Sequence, residues 1–253
     1  MVRETLKKNR IGLNPHFNYR GEEQTRIEAF TDAVFAFAVT LLVLSNSIPE
    51  TFEDLKASFS DIIPFGLAIS ILVSIWFDHY IFSIRYGFRD GYITMLNTLL
   101  LFLVLIYVYP LKFLMSLLTK MFYALIAQDF DIYRTLFTEV IRPADTWLLM
   151  IFYGLGVVAI FGTLAFMYLY ALKRRGELEL SDLEIFETKT SMYVNLCLMV
   201  PPLLSSLVAI SGIGSMTLNF ILAGNIYMLY PILIPLYSRY RNKRRKLLFP
   251  DIA

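Results

Sequence analysis

The chain has 253 residues, of which 57% are hydrophobic and only 17% charged, and its formal net charge is +2. With a mean hydropathy of +0.58, that balance excludes an ordinary soluble globule and points to an integral membrane protein, in which the placement of Lys and Arg matters more than their sum. A single cysteine, Cys197, excludes an intrachain disulfide and a thiol-rich metal site.

Residues 1–26 are polar and basic, with no apolar h-region, and read as a cytoplasmic tail without a cleavable signal. The first apolar run, Ile27 to Ser47, then serves as its own insertion signal. A hydrocarbon core of roughly 30 Å asks for about 20 apolar residues per helical crossing. Five further windows of that length follow: Ile62 to Ile84, Tyr92 to Leu111, Thr146 to Leu172, Ser191 to Ile213 and Met216 to Tyr237. Residues 27–238 are therefore expected to form an all-α domain of six transmembrane helices, followed by a basic tail at 239–253.

Basic residues alternate between the connections. Lys7, Lys8, Arg10 and Arg20 precede the first span, Arg85 and Arg89 follow the second, Lys173, Arg174 and Arg175 follow the fourth, and RYRNKRRK follows the sixth. The other connections carry Glu50, Glu53, Asp54 and Asp61, then Asp129, Asp131, Glu139 and Asp145. Basic residues stay inside, so both termini are expected in the cytoplasm. The aromatic, amphipathic stretch after Pro110 reads as an extension of the third helix followed by an interfacial helix. The terminal RYRNKRRK suits a stop-transfer and lipid-headgroup anchor better than a nucleic-acid site.

Several polar residues fall inside the spans. At about 1.5 Å per residue, Asp32, His79, Asn97 and Asn195 share one slab near the cytoplasmic face. Polar groups in lipid are costly unless paired, so a shared depth predicts that they meet across helices. On the first helix Arg26 and Phe30 share one face and Asp32 points away from both. On the second, Trp76 and His79 sit at i, i+3 with Asp78 beside them. Two readings fit this set: a structural clamp joining the first three helices, or a proton relay. Phe30 also opens an apolar stripe through Ala33, Val34, Phe37, Leu41, Leu44 and Ile48, with Thr40 at its edge. Such a stripe serves packing or lipid contact as readily as a pore.

The stretch Arg26-Ile-Glu-Ala-Phe30-Thr31-Asp32 resembles the R-x-x-x-F-S-D signature of the endosomal and lysosomal potassium channels called transmembrane protein 175 and of their prokaryotic homologues. The following AVFAFAVTLLVL is similar to that family's first helix, WFDHYIF to its second and LNTLLLFLVLIYVYP to its third, so the resemblance covers about the first 110 residues. It implies a single six-helix repeat, a homotetramer in a prokaryotic plasma membrane, and a potassium-permeable pore lined by four copies of the first helix. It further implies Phe37 at the inner constriction, Leu41 one turn beyond and Leu44 further out, with Thr40 as the nearest hydroxyl and a hydrophobic gate in place of a carbonyl-lined filter. Arg26, Phe30, Thr31, Asp32, Trp76, His79 and Asn97 would then organise contacts among helices. Thr31 replaces the family's usual serine, and Phe37 stands where isoleucine or leucine is more frequent.

The expected partners are K⁺, the lipid bilayer and further copies of the chain, with no cofactor, resident metal or nucleic acid. A proton-coupled transporter using Asp32, Asp78 and His79 is the alternative. An enzyme is not expected, since the sequence has no HExxH, GxSxG or Ser-His pair at matching depth.

Overall fold

The computed structural model describes residues 14, 16–21, 23–44 and 50–250; the side chains at 44, 57, 60, 133, 143 and 217 lie outside that description. Lys7, Lys8, Arg10, the outer end of the first span at Ser45 to Ser47, and Ile48 of the apolar stripe fall outside the described residues.

The elements are α1 (Arg26–Leu44), α2 (Phe52–Ser60), α3 (Ile62–Tyr86), α4 (Gly91–Ala127) and α5 (Phe130–Thr135). After a π-type turn and a 3₁₀ turn come α6 (Thr146–Lys173), α7 (Asp182–Ser211), α8 (Met216–Asn225), the 3₁₀ segment Ile226–Leu229 and α9 (Tyr230–Leu248). Among the described residues, five stretches are long and apolar enough to cross a membrane: α3, α4, α6, α7 and Leu218–Leu248. The shorter α1, at 19 residues, is not among them and carries Arg26, Glu28 and Asp32 in its first two turns.

Helix extents depart from the hydropathy windows for local reasons. The third window continues through Pro110 to Ala127 as one helix. The fifth begins at Asp182, nine residues ahead of its apolar window, because Ser181 and Glu184 form a reciprocal capping box. The sixth breaks at Ile226–Leu229 and then carries its helix to Leu248, so most of the expected C-terminal tail is helical. Between the first two spans, Thr51 and Asp54 make a second capping box that starts α2, a helix the hydropathy pattern gives no sign of.

The core joins α1, α3, α4 and α6 through Phe35, Ala38 and Leu42, Leu72 and Ile75, Leu100 and Val104, and Leu164 and Met167. The α6–α7 contact is closer still. A side chain at Gly154 would collide with the Ser206 hydroxyl and come within 2.8 Å of the Pro202 carbonyl. The small residues around Ser205 and Ser206 thus let two backbones approach. Gly154→Val is expected to destabilise the protein by about 1–3 kcal/mol or more through overpacking, seen as a lower thermal midpoint in detergent.

Proline frees carbonyls within α7, and a neighbour takes one up. Pro202 has no N–H for the Leu198 carbonyl, and the Tyr230 hydroxyl donates to it at 2.7 Å.

Before α1 the chain forms a strap across the C-terminal end of α3. The Arg20 and Gly21 amides donate to the Arg85 and Ile84 carbonyls at 3.3 and 3.0 Å. Gly87, the left-handed C-cap of α3 at φ 58°, and Gly21 lie so close that a Cβ on either meets backbone of the other segment. Phe17 is buried beneath the Arg85 guanidinium, 4.8 Å from its ring centre.

Candidate functional site

On α1, successive residues turn about 100°, and exposure follows that rule. Thr31, Phe35, Ala38 and Leu42 form one buried face. About 140° away runs the stripe singled out by sequence. There Phe30 is 63% and Phe37 55% exposed, and Ala33 and Thr40 are exposed with them. Leu41 lies between the faces: it is half-buried and packs against the core. The backbone of Leu44 falls on the stripe, while its side chain lies outside the described residues. The Thr40 hydroxyl donates to the Ala36 carbonyl at 3.0 Å, which leaves its lone pairs on the open face.

The buried face is fixed by polar contacts at the depth expected from sequence. The Thr31 hydroxyl donates to the Ile27 carbonyl at 2.8 Å and accepts from Asn97 Nδ2 at 2.7 Å. Both side chains are buried. Asp32 accepts from the Trp76 indole N–H at 2.8 Å and from Gln24 Nε2 at 3.0 Å. His79 is buried and borders a small cavity of about 20 Å³ with Asn97, Thr25 and Glu28. Thr25 and Glu28 cap the helix start reciprocally: the Thr25 amide donates to Glu28 Oε2 at 2.7 Å and the Glu28 amide to Thr25 Oγ1 at 3.2 Å. Towards the other end, Lys112 Nζ of α4 donates to the Leu42 carbonyl at 3.2 Å. The result is a helix held along one side from end to end, with an apolar stripe left open on the other.

Asp78 takes a different direction from Trp76 and His79. Its two oxygens accept from the Tyr168 hydroxyl and from Asn195 Nδ2, both at 2.8 Å, so it ties α3 to α6 and α7. The slab of polar groups is therefore two clusters on opposite sides of α3. Asp32 and His79 belong to one, Asp78 to the other, and a relay through all three has no continuous geometry.

Arg26 is exposed on the same side of α1 as Phe30. It lines an open cavity of about 290 Å³ with Glu23, Gln24, Phe88 and Arg89, and makes no hydrogen bond or ion pair among the described residues. At the far end Glu50 and Glu53 are exposed before and within α2. Hydrogen bonds from Thr51 hold the Asp54 carboxyl below the usual carboxylate range.

Sequence reasoning missed the anchor formed by Glu184. This buried carboxylate accepts from Arg20 at 2.9 and 3.2 Å, from the Asn18 amide at 2.9 Å and from the Ser181 amide at 2.8 Å. Arg20 also donates through Nε to the Leu178 carbonyl at 2.7 Å. The strap that leads into α1 is thus fastened to the α6–α7 connection. The S-x-x-E cap at Ser181 was the available signal, although it says nothing about Arg20.

Residues 26–110 match the sequence profile of a family described as endosomal/lysosomal potassium channel TMEM175. Over 244 residues, 95% of this chain and 97% of the relative, the sequence is 43% identical to a potassium channel of Marivirga tractuosa. The fold is similar to a crystal structure of the potassium channel MtTMEM175, a threonine-to-alanine variant bound to a nanobody–MBP fusion protein. That similarity has a TM-score of 0.78 and 44% identity, and covers 92% of this chain and 100% of that one.

Proposed function

The chain belongs to the TMEM175 potassium channel family, and on that premise we propose that it is a potassium-permeable cation channel whose pore lies between four copies of α1. The observation that carries this reading is the pairing of faces on α1. One side is locked by Thr31–Asn97 and Asp32–Trp76, while the other offers Phe30, Phe37 and Thr40 to a neighbour or an axis. Assembly around that stripe makes α1 the sixth crossing, shielded from lipid by α3 and α4. Residues 1–26 and 239–253 then lie on the cytoplasmic side and residues 27–238 form the multi-pass domain, with its acidic connections outside.

Permeation is passive. Phe37 forms the inner constriction and Leu41 and Leu44 the turns beyond it, with Thr40 as the nearest hydroxyl. An apolar constriction makes an ion shed water, and K⁺ gives up its hydration shell at lower cost than Na⁺, so the preference for K⁺ needs no ring of carbonyls. Glu50 and Glu53 add a salt-sensitive attraction for cations at the outer mouth. Arg26, Phe30, Thr31, Asp32, Trp76, His79 and Asn97 act as the frame that sets the rotation of α1.

The test is flux from liposomes holding the purified protein, with potassium set against sodium. A leak that favours potassium, needs no co-substrate and changes in Leu41→Ala is expected. Saturable flux that depends on a second solute, unchanged by Leu41→Ala, would replace the channel with a transporter.

A further inference from the structure

Between α7 and α9, with no residue of α1 in their walls, two cavities meet. One is polar and aromatic, about 320 Å³, and includes Lys189, Tyr193, Tyr240 and Arg244 in its wall. The other is apolar, about 200 Å³, and runs past Val194, Cys197 and Ile234. Thr190, Tyr237 and Arg241 belong to both. Cys197 lies about 10 Å further along α7 than Thr190, so the pair forms one cleft, cationic at its mouth and apolar at its floor.

The charges at the mouth divide into two sorts. Arg241 is spoken for: it donates to both oxygens of the buried Glu187 at 3.0 and 2.8 Å. Arg245 shares that carboxylate at 3.6 Å. Lys189 makes no ion pair among the described residues, and Arg244 bonds only the Tyr240 hydroxyl at 3.1 Å while lying over the same ring. Among the described residues, two exposed cations thus face an aromatic rim with no carboxylate paired to them.

We propose that this cleft binds an anionic glycerophospholipid, its phosphodiester between Lys189 and Arg244 and one acyl chain along Val194, Cys197 and Ile234. The chemistry matches part for part. A guanidinium and an ammonium recognise phosphate, tyrosines sit at headgroup level, and the apolar floor takes hydrocarbon. Basic residues beside a membrane helix add an attraction for anionic lipid of the order that retains a headgroup. The site is independent of the pore, so it stands or falls apart from the channel reading.

Native mass spectrometry of the detergent-purified protein, titrated with phosphatidylglycerol or with phosphatidylcholine of the same chains, tests this. Retention of phosphatidylglycerol over phosphatidylcholine is expected, with a loss of about five-fold for each charge removed in Lys189→Gln and Arg244→Gln. Arg239→Gln with Lys243→Gln removes two charges from the opposite face of α9 and is expected to retain the wild-type preference. Free glycerophosphate is expected not to displace the lipid, because it lacks the chain. Equal retention of both lipids, an equal loss in the Arg239/Lys243 control, or displacement by glycerophosphate would each overturn the proposal.

Discussion

Replacing Phe37 with alanine is expected to raise potassium flux by about tenfold or more, with Phe37→Ile between the two. In the proposed pore, four rings on one axis narrow the passage far more than four isobutyl-sized side chains, and an ion crossing them must shed more water. Each tenfold in rate corresponds to only about 1.4 kcal/mol of barrier, a small part of the cost of stripping one water from a cation. Phe37 is 55% exposed and lies on the opposite side of α1 from the buried Thr31, so the substitution leaves the helix held as before. Potassium preference is expected to fall as flux rises, because a wider constriction lets ions pass with more of their water. Liposome flux of potassium and sodium, with the oligomeric state checked by size, reads both effects. Unchanged flux in both variants would remove Phe37 from the constriction and leave Leu41 and Leu44 to form it.

The second large effect is expected at the strap. Arg20→Ala leaves Glu184 buried with two amide donors and no cation, and removing one partner of a buried pair costs about 3–5 kcal/mol. The same residue also holds the Leu178 carbonyl, so the segment leading into α1 loses its fastening to the α6–α7 connection. A marked fall in thermal midpoint in detergent is expected. Arg20→Ala combined with Glu184→Gln is expected to recover part of the loss, since the neutral amide has less to lose on burial. A single variant as stable as the wild type would show that the pair adds little beyond the strap's backbone bonds.

The limits of the sequence lie in particular residues. Counting puts Asp32 and His79 at one depth, and in the fold they fall in one cluster, where Asp32 takes its hydrogen bond from Trp76, one turn from His79 on the same helix. Asp78 adjoins His79 in the sequence, yet one residue is 100° of helix rotation, enough to send it to Tyr168 and Asn195 on other helices. Leu41 falls on the open stripe by periodicity, and the fold half-covers it, because only the packing of α3 and α4 sets how wide the open face is. Hydropathy marked where lipid would be tolerated, whereas caps at Thr51 and Ser181 and the Tyr230 bond behind Pro202 decided where helices begin, break and continue.

By itself the sequence determined the all-helical membrane class, the apolar stripe of α1 and the common depth of its polar groups. These follow from composition and from the fixed rise and turn of an α-helix, which are local quantities. Which polar group pairs with which, how Arg20 reaches Glu184 across more than half the chain, and where a cleft opens between α7 and α9 were decided only by tertiary structure. Those pairings depend on the rotation and offset of one helix against another, and packing of side chains distant in sequence sets both.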